Sequence, residues 1–397
     1  MKISRYTHFI QLNSKSRTVF IDWCLVKLLL LFSLIFAIYI GSSPCCNKYL
    51  DEAQSVNSKF LISILILLMM PEENLCGNFS NHYNPVREYT NQTIWDLPDV
   101  SEENMDIGLW SLIIAKEYDS TIDIPYYLNE LEKMKDEIDR MIAGRNMDMI
   151  KFVMTKMYQF DEGIWNNFQP YSYDLDDPLG ENPQYKLLST YIDTRKGNCV
   201  SMPTLFLALM ERVDPDIPFH GVRAPMHLFC RLHDRQDGKI WNAEATTGGH
   251  ADRDVWYVEE FNISQASIDS GTYMTDLTKK EFVACLIDII ITKYRFAGEY
   301  EKAMEYSDLI LQIDPQCITG LVHKGALFAW LGYNFLENIK QENRRPTPEE
   351  HEVLTLYEAE SEKYINRAMS LGWRPETPEE KEKYLKSIEE ARQSIKE

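Results

Sequence analysis

From about residue 101 onward, apolar and polar positions alternate with helical periods. Leu109, Trp110, Leu112, Ile113 and Ile114, then Tyr127, Leu128, Leu131, Met134, Ile138 and Ile142, predict several helices between 101 and about 160. Ser101, followed by Glu102 and Glu103, is the expected cap of the first. A polar stretch punctuated by Pro170, Pro178 and Pro183 then separates this region from a new pattern at Cys199. Met202, Leu205, Phe206, Leu209, Met210 and Val213 line one face of an amphipathic helix that ends before Asp214-Pro215. Pro203 fits only its first turn, which puts the helix N-terminus within a residue or two of Cys199. Three β-like segments come next, at 219–223, 227–232 and 239–245, the last two separated by the hairpin signal Asp237-Gly238. Helices, then short strands, then helices again from about 277 make the expected class α+β.

The second helical region has an internal period. With Ala284 as the first position of a 34-residue unit, Tyr294, Gly298, Ala303 and Pro315 fall where a tetratricopeptide repeat places its aromatic, turn glycine, small packing residue and closing proline. Leu321, Gly325, Phe328 and Gly332 repeat the first half. The second half is delayed by an insertion of about 24 residues before Ile365, Ala368 and Pro375 restore the pattern. Thr377-Pro378-Glu379-Glu380 then opens a charged terminal helix with a capping box. Two repeats are few for an independent solenoid, so the region is expected to pack on the preceding domain.

The start of the chain obeys different rules. Residues 1–21 carry Lys2, Arg5, Lys15 and Arg17 with no acid before Asp22, and residues 23–41 are apolar apart from Lys27 and Ser33. A basic flank before an apolar run is targeting grammar: 28–40 has the length of a signal core, and 23–41 suffices to span a bilayer. Either device exports the rest of the chain, and Pro44 after Gly41-Ser42-Ser43 favours an anchor over cleavage. A second apolar run at 60–70 is too short to span. The expected organisation is a targeting or membrane segment at 1–76, a linker at 77–100, a helical lead-in with the mixed domain at 101–276, and helical repeats with a capping helix at 277–397.

Charge narrows the partners. Against 41 Lys and Arg stand 61 Asp and Glu, a net charge of −20, which excludes the phosphate neutralisation that drives nonspecific nucleic-acid binding. The eight cysteines contain no CxxC pair or zinc spacing, and no cofactor or metal is expected. His220, His233 and His250 with Asp252 fit no compact ligand spacing and are expected to serve ordinary surface roles.

Cys199 stands out because unpaired N–H groups and the dipole at a helix N-terminus favour thiolate and can hold an oxyanion. His227, opening the second β-segment, is the candidate base. Asn242 and Glu244 alternate onto one side of the third segment, and either can accept from the second imidazole nitrogen. Read by composition alone, the thiol is a packed residue and the histidine structural. Trp165, Phe168, Tyr171 and Tyr173 either line a substrate groove or pack in the core.

The order Cys-helix, His-strand, acid-strand resembles the transglutaminase-like, papain-related cysteine fold. The resemblance rests on RKGNCVSMPTLFLALMERV, RAPMHLFCRL and WNAEATTGG. With the lead-in DIGLWSLIIAKEYDSTIDIPYYLNELEKM, the chain is similar over about 105–375 to bacterial transglutaminase-like proteins that carry C-terminal tetratricopeptide repeats. The resemblance implies Cys199 as nucleophile, His227 as base and Glu244 where the fold usually has aspartate, with Asn242 the fallback. It implies a hydrolase or acyltransferase acting on amide bonds of a protein or peptide substrate. Relatives that lack the cysteine imply a rival role, a noncatalytic scaffold with a protein partner on the repeats.

Overall fold

The computed structural model describes residues 92–250 and 252–396. The apolar runs at 23–41 and 60–70 lie outside the described residues. No helix among those described is long and apolar enough to cross a membrane.

The first long helix, α1 (Ile107–Tyr118), starts later than Ser101 predicts. Ser101 opens only a 3-10 turn, Glu102–Asn104, and caps nothing with its side chain. Buried Met105 keeps extended backbone, and Asp106 becomes the cap, its carboxylate accepting from the Leu109 N–H at 2.8 Å. Next come α2 (Ile124–Ile142), with Pro125 in its first turn, and α3 (Asp148–Phe160). A short strand β1 (Ser172–Tyr173) and helix α4 (Leu188–Thr194) lead to β2 (Lys196–Gly197), which pairs with β1 in parallel.

Helix α5 (Ser201–Val213) is the hub. Every residue from Ser201 to Met210 is buried, because α1 to α4 and the next sheet all pack around it. Arg212 binds both Asp106 oxygens, at 3.1 and 3.0 Å, and so ties the start of α1 to the end of the hub.

The sheet comprises β3 (Phe219–Ala224), β4 (His227–His233) and β5 (Ile240–Ala243), antiparallel in that order. Register pairs Val222 with Phe229 and Cys230 with Ala243. Strand alternation gives β4 two faces. Leu228, Cys230 and Leu232 are buried, with the Cys230 thiol 3.8 Å from the Pro203 carbonyl of α5. His227, Phe229, Arg231 and His233 take the other face, where Phe229 stacks on Tyr257 of α6 (Asp254–Glu260) at 3.8 Å.

Helices α7 (Lys279–Leu286), α8 (Asp288–Ala297) and α9 (Tyr300–Ile313) come next, then α10 (Ile318–Gln341), α11 (Pro348–Ser370) and α12 (Pro378–Lys396). From α8 to α11, each helix packs on the next in sequence, while α7 and α8 also lie on α1. Gly298 closes α8 at a φ of 76°, in the left-handed region that favours glycine. The residues inserted before Ile365 form no loop. They lengthen α10 to 24 residues and α11 to 23, giving a long hairpin turned by residues 342–347. Gly325 permits the close approach, since a Cβ there would sit 2.7 Å from Ile365 Cγ1.

A buried ion pair fastens these helices to the sheet. Arg223 of β3 meets the Asp314 carboxylate at 2.9 Å and the Cys317 sulfur at 3.1 Å, with both charged side chains under 10% exposed. Arg223→Met therefore leaves a buried carboxylate without its partner and is expected to destabilise the chain by about 3–5 kcal/mol. Adding Asp314→Leu should restore most of the loss in urea unfolding; a double variant no more stable than the single one contradicts the assignment.

Candidate active site

The turn before α5 is built by Asn198. Its side-chain oxygen accepts from the N–H groups of Val200 at 3.0 Å and Ser201 at 3.3 Å, so it caps the helix from one residue upstream of Cys199. Cys199, held between cap and helix, is half-buried. Among the described residues its own backbone N–H has no acceptor. Its thiol lies 3.7 Å from the Met226 carbonyl in the turn joining β3 to β4.

That turn also delivers His227. Glu244 Oε2 lies 2.7 Å from His227 Nε2, which leaves Nδ1 for the Cys199 thiol, a hydrogen-bond partner of the ring. Phe261 stacks on the imidazole with centroids 4.9 Å apart and fixes its plane. Burial alone would lower the His227 pKa, but the Glu244 charge and the bonds to Cys199 and Glu244 outweigh it and push it up to about 10. The ring is therefore an imidazolium at neutral pH.

Glu244 is 1% exposed. Its second oxygen accepts from Thr246 twice, from the N–H at 3.0 Å and the hydroxyl at 2.6 Å. Burial opposes its ionisation, yet the His227 charge and these bonds hold the carboxyl below its usual range. The acid is thus fully bonded and points one way.

Asn242 does not orient the imidazole. Paired across the sheet with Arg231, it accepts from that guanidinium at 2.8 Å and donates to Asp254 at 2.6 Å. The predicted third strand is shorter than 239–245: it ends at Ala243, and Glu244 turns out of it to bridge His250 before a 3-10 turn at Ala245–Thr247. This exit from the strand, rather than strand alternation, aims Glu244 at His227.

Of the four aromatics before the core, Tyr171 is buried, Phe168 is exposed, and Trp165 donates to the Met157 carbonyl. Only Tyr173 reaches the site. Burial chiefly, then its bond to Tyr384 and the nearby Cys199 charge, raise the Tyr173 pKa. Its hydroxyl shares a hydrogen-bond triangle with Tyr384 of α12 and the Pro178 carbonyl, so the terminal helix reaches the thiol's surroundings. Lys186, paired with Asp288 at 3.1 Å, adds a second cation that senses Cys199. The asparagine preceding Cys199 was legible as a cap signal, whereas Tyr384, 185 residues downstream of the thiol, left no local sign. Two clefts, of about 350 and 290 Å³, lie elsewhere, beside Lys293 and beside Arg223.

Comparison of this chain with family models, with curated proteins and with solved structures found no match.

Proposed function

We propose that the chain is a transglutaminase-like thiol hydrolase or acyltransferase that cleaves amide bonds, with a short tetratricopeptide-like array packed on its core. One observation carries the reading: His227 is held between the Cys199 thiol and the buried Glu244 carboxylate at the N-terminus of α5. With the thiol proton already held on His227, Cys199 Sγ attacks the carbonyl carbon. A carbon–sulfur bond forms as the carbonyl electrons move to oxygen, where the Cys199 N–H, without an acceptor among the described residues, is available to the oxyanion. Collapse breaks the carbon–nitrogen bond, and His227 returns its proton to the departing amine. Water or a second amine then attacks the thioester and gives its proton to His227, and collapse breaks the carbon–sulfur bond to release Cys199. Water makes the chain a hydrolase, and an amine makes it a transferase. The basic and apolar N-terminal segment would place this chemistry outside the cytoplasm.

The test is alkylation. Cys199 should react with iodoacetamide near neutral pH at least about tenfold faster than a free thiol, and His227→Gln should abolish the excess. Equal rates from mildly acid to mildly alkaline pH would sink the proposal.

A second reading draws on the long hairpin, where Trp330 and Tyr333 of α10 and Leu356 of α11 are 44–59% exposed. Such apolar exposure supports a protein partner on the repeats and a noncatalytic scaffold.

A further inference from the structure

The sheet face that carries His227 carries a second polar cluster at its other end. Six residues along β4, His233 occupies the same face. Antiparallel pairing sets His220 of β3 opposite Arg231, so the His220 and His233 rings meet edge to face with centroids 5.6 Å apart. The chain later returns along the free side of β3. Met274 N–H donates to the Arg223 carbonyl and Leu277 N–H to that of Gly221, both at 2.9 Å, and Asp276 bridges to Val222. This pairing delivers Asp276 Oδ2 to within 2.6 Å of His233 Nε2. One ligand atom from each of His220, His233 and Asp276 lies within 4.8 Å of the other two.

We propose that these three residues bind a divalent transition-metal ion of the zinc class, at a site separate from Cys199. Two imidazole nitrogens and one carboxylate oxygen are a ligand set that zinc takes at about 2.0–2.2 Å, with the fourth position left to water. Hard cations such as magnesium favour oxygen ligands and fit the set poorly. The supporting contacts suit the purpose. Arg231 holds the other Asp276 oxygen at 3.2 Å, and the Leu277 backbone is a hydrogen-bond partner of His220, as outer groups do for metal-bound ligands. The guanidinium repels a cation, but Asp254 also binds it at 2.8 Å, so carboxylates outnumber positive charges before an ion enters. Entry displaces the hydrogen between His233 and Asp276. The side chains of His233 and Asp276 are 38% and 30% exposed, which gives the ion a path and the ligands room to close in.

The test uses the purified full chain in mild detergent, stripped with chelator and titrated with cobalt as a spectroscopic substitute for zinc. One equivalent should give visible d–d absorption without a sulfur-to-cobalt charge-transfer band, and zinc should erase it. His220→Gln and His233→Gln should each weaken binding more than about 100-fold, because a direct ligand matters more than the outer contacts that cost 10–100-fold. Cys199→Ala should leave binding unchanged. Excess zinc should also raise the melting temperature of the wild-type chain, a result independent of how the variants fold. Three outcomes overturn the proposal: no saturable binding by the wild-type chain at millimolar cobalt, full affinity in folded His220→Gln and His233→Gln variants, or loss of the bound ion in Cys199→Ala.

Discussion

Cys199→Ala is expected to lose amide-cleaving and amine-transferring activity by a factor on the order of 10⁶, the scale on which removing the nucleophile of a triad abolishes covalent catalysis. The assay follows dimethylcasein incubated with a fluorescent primary amine, alongside release of ammonia and of new amino termini. The change is clean because Cys199 is half-buried and, apart from the His227 ring, its thiol makes a long contact to the Met226 carbonyl. Removing its sulfur should alter stability by less than about 1 kcal/mol. Lost activity with an unchanged unfolding curve therefore isolates the chemistry. The same variant separates the two functional readings, since a scaffold that works through the α10–α11 hairpin would keep its biological role without the thiol. A Cys199→Ala chain that retains its turnover removes the nucleophile assignment outright.

Glu244→Gln should reduce kcat/KM by about 10²–10⁴, the range over which the orienting acid of a triad contributes. Proton positions set the effect. If the glutamine oxygen keeps both Thr246 bonds, its NH₂ group faces His227 Nε2 and donates to it. The neutral imidazole must then carry its proton on Nδ1, toward Cys199, where it cannot accept the thiol proton. If the amide is reversed, NH₂ confronts the Thr246 N–H and a buried donor is left unpaired. Asn242→Ala, in contrast, should not shift the pH profile, because Asn242 bonds Arg231 and Asp254.

The pH dependence has a definite sign. His227 is raised from 6.5 to about 10 in the folded chain, so its contribution to stability is fully present below about 6.5 and is lost as pH rises through 10. Glu244 is lowered, so its contribution is present above about 4.5 and is lost as pH falls through its folded pKa. In Glu244→Gln the charge that raises His227 is gone, and the alkaline decline of both stability and activity should move down from pH 10 toward 6.5. Unfolding curves measured between about pH 6 and 10 read this directly, and an unmoved alkaline limb would contradict the His227–Glu244 pairing.

Local periodicity determined much of this protein. The spacing from Met202 to Val213, with Pro203 confined to a first turn, set the helix and placed Cys199 at its start. The Asp237-Gly238 signal and the His227 segment gave the β4–β5 hairpin, with β4 one residue longer than expected and β5 ending two residues early. These features depend on neighbours a few positions apart, which a sequence displays. It could not choose between Glu244 and Asn242, because two alternate residues look alike until the strand's end is known. The end lies at Ala243, where the His250 bridge turns Glu244 away from the sheet. Nor could it join His220 to His233 and Asp276, since that contact exists only through the β3–β4 register and the later return of the chain along β3. The inserted residues of the repeat region were countable, but whether they formed a loop or longer helices depended on two helices packing through Gly325 and Ile365. Helical phase and capping are local properties of the chain, while strand ends, register and the meeting of distant side chains are settled only by tertiary packing.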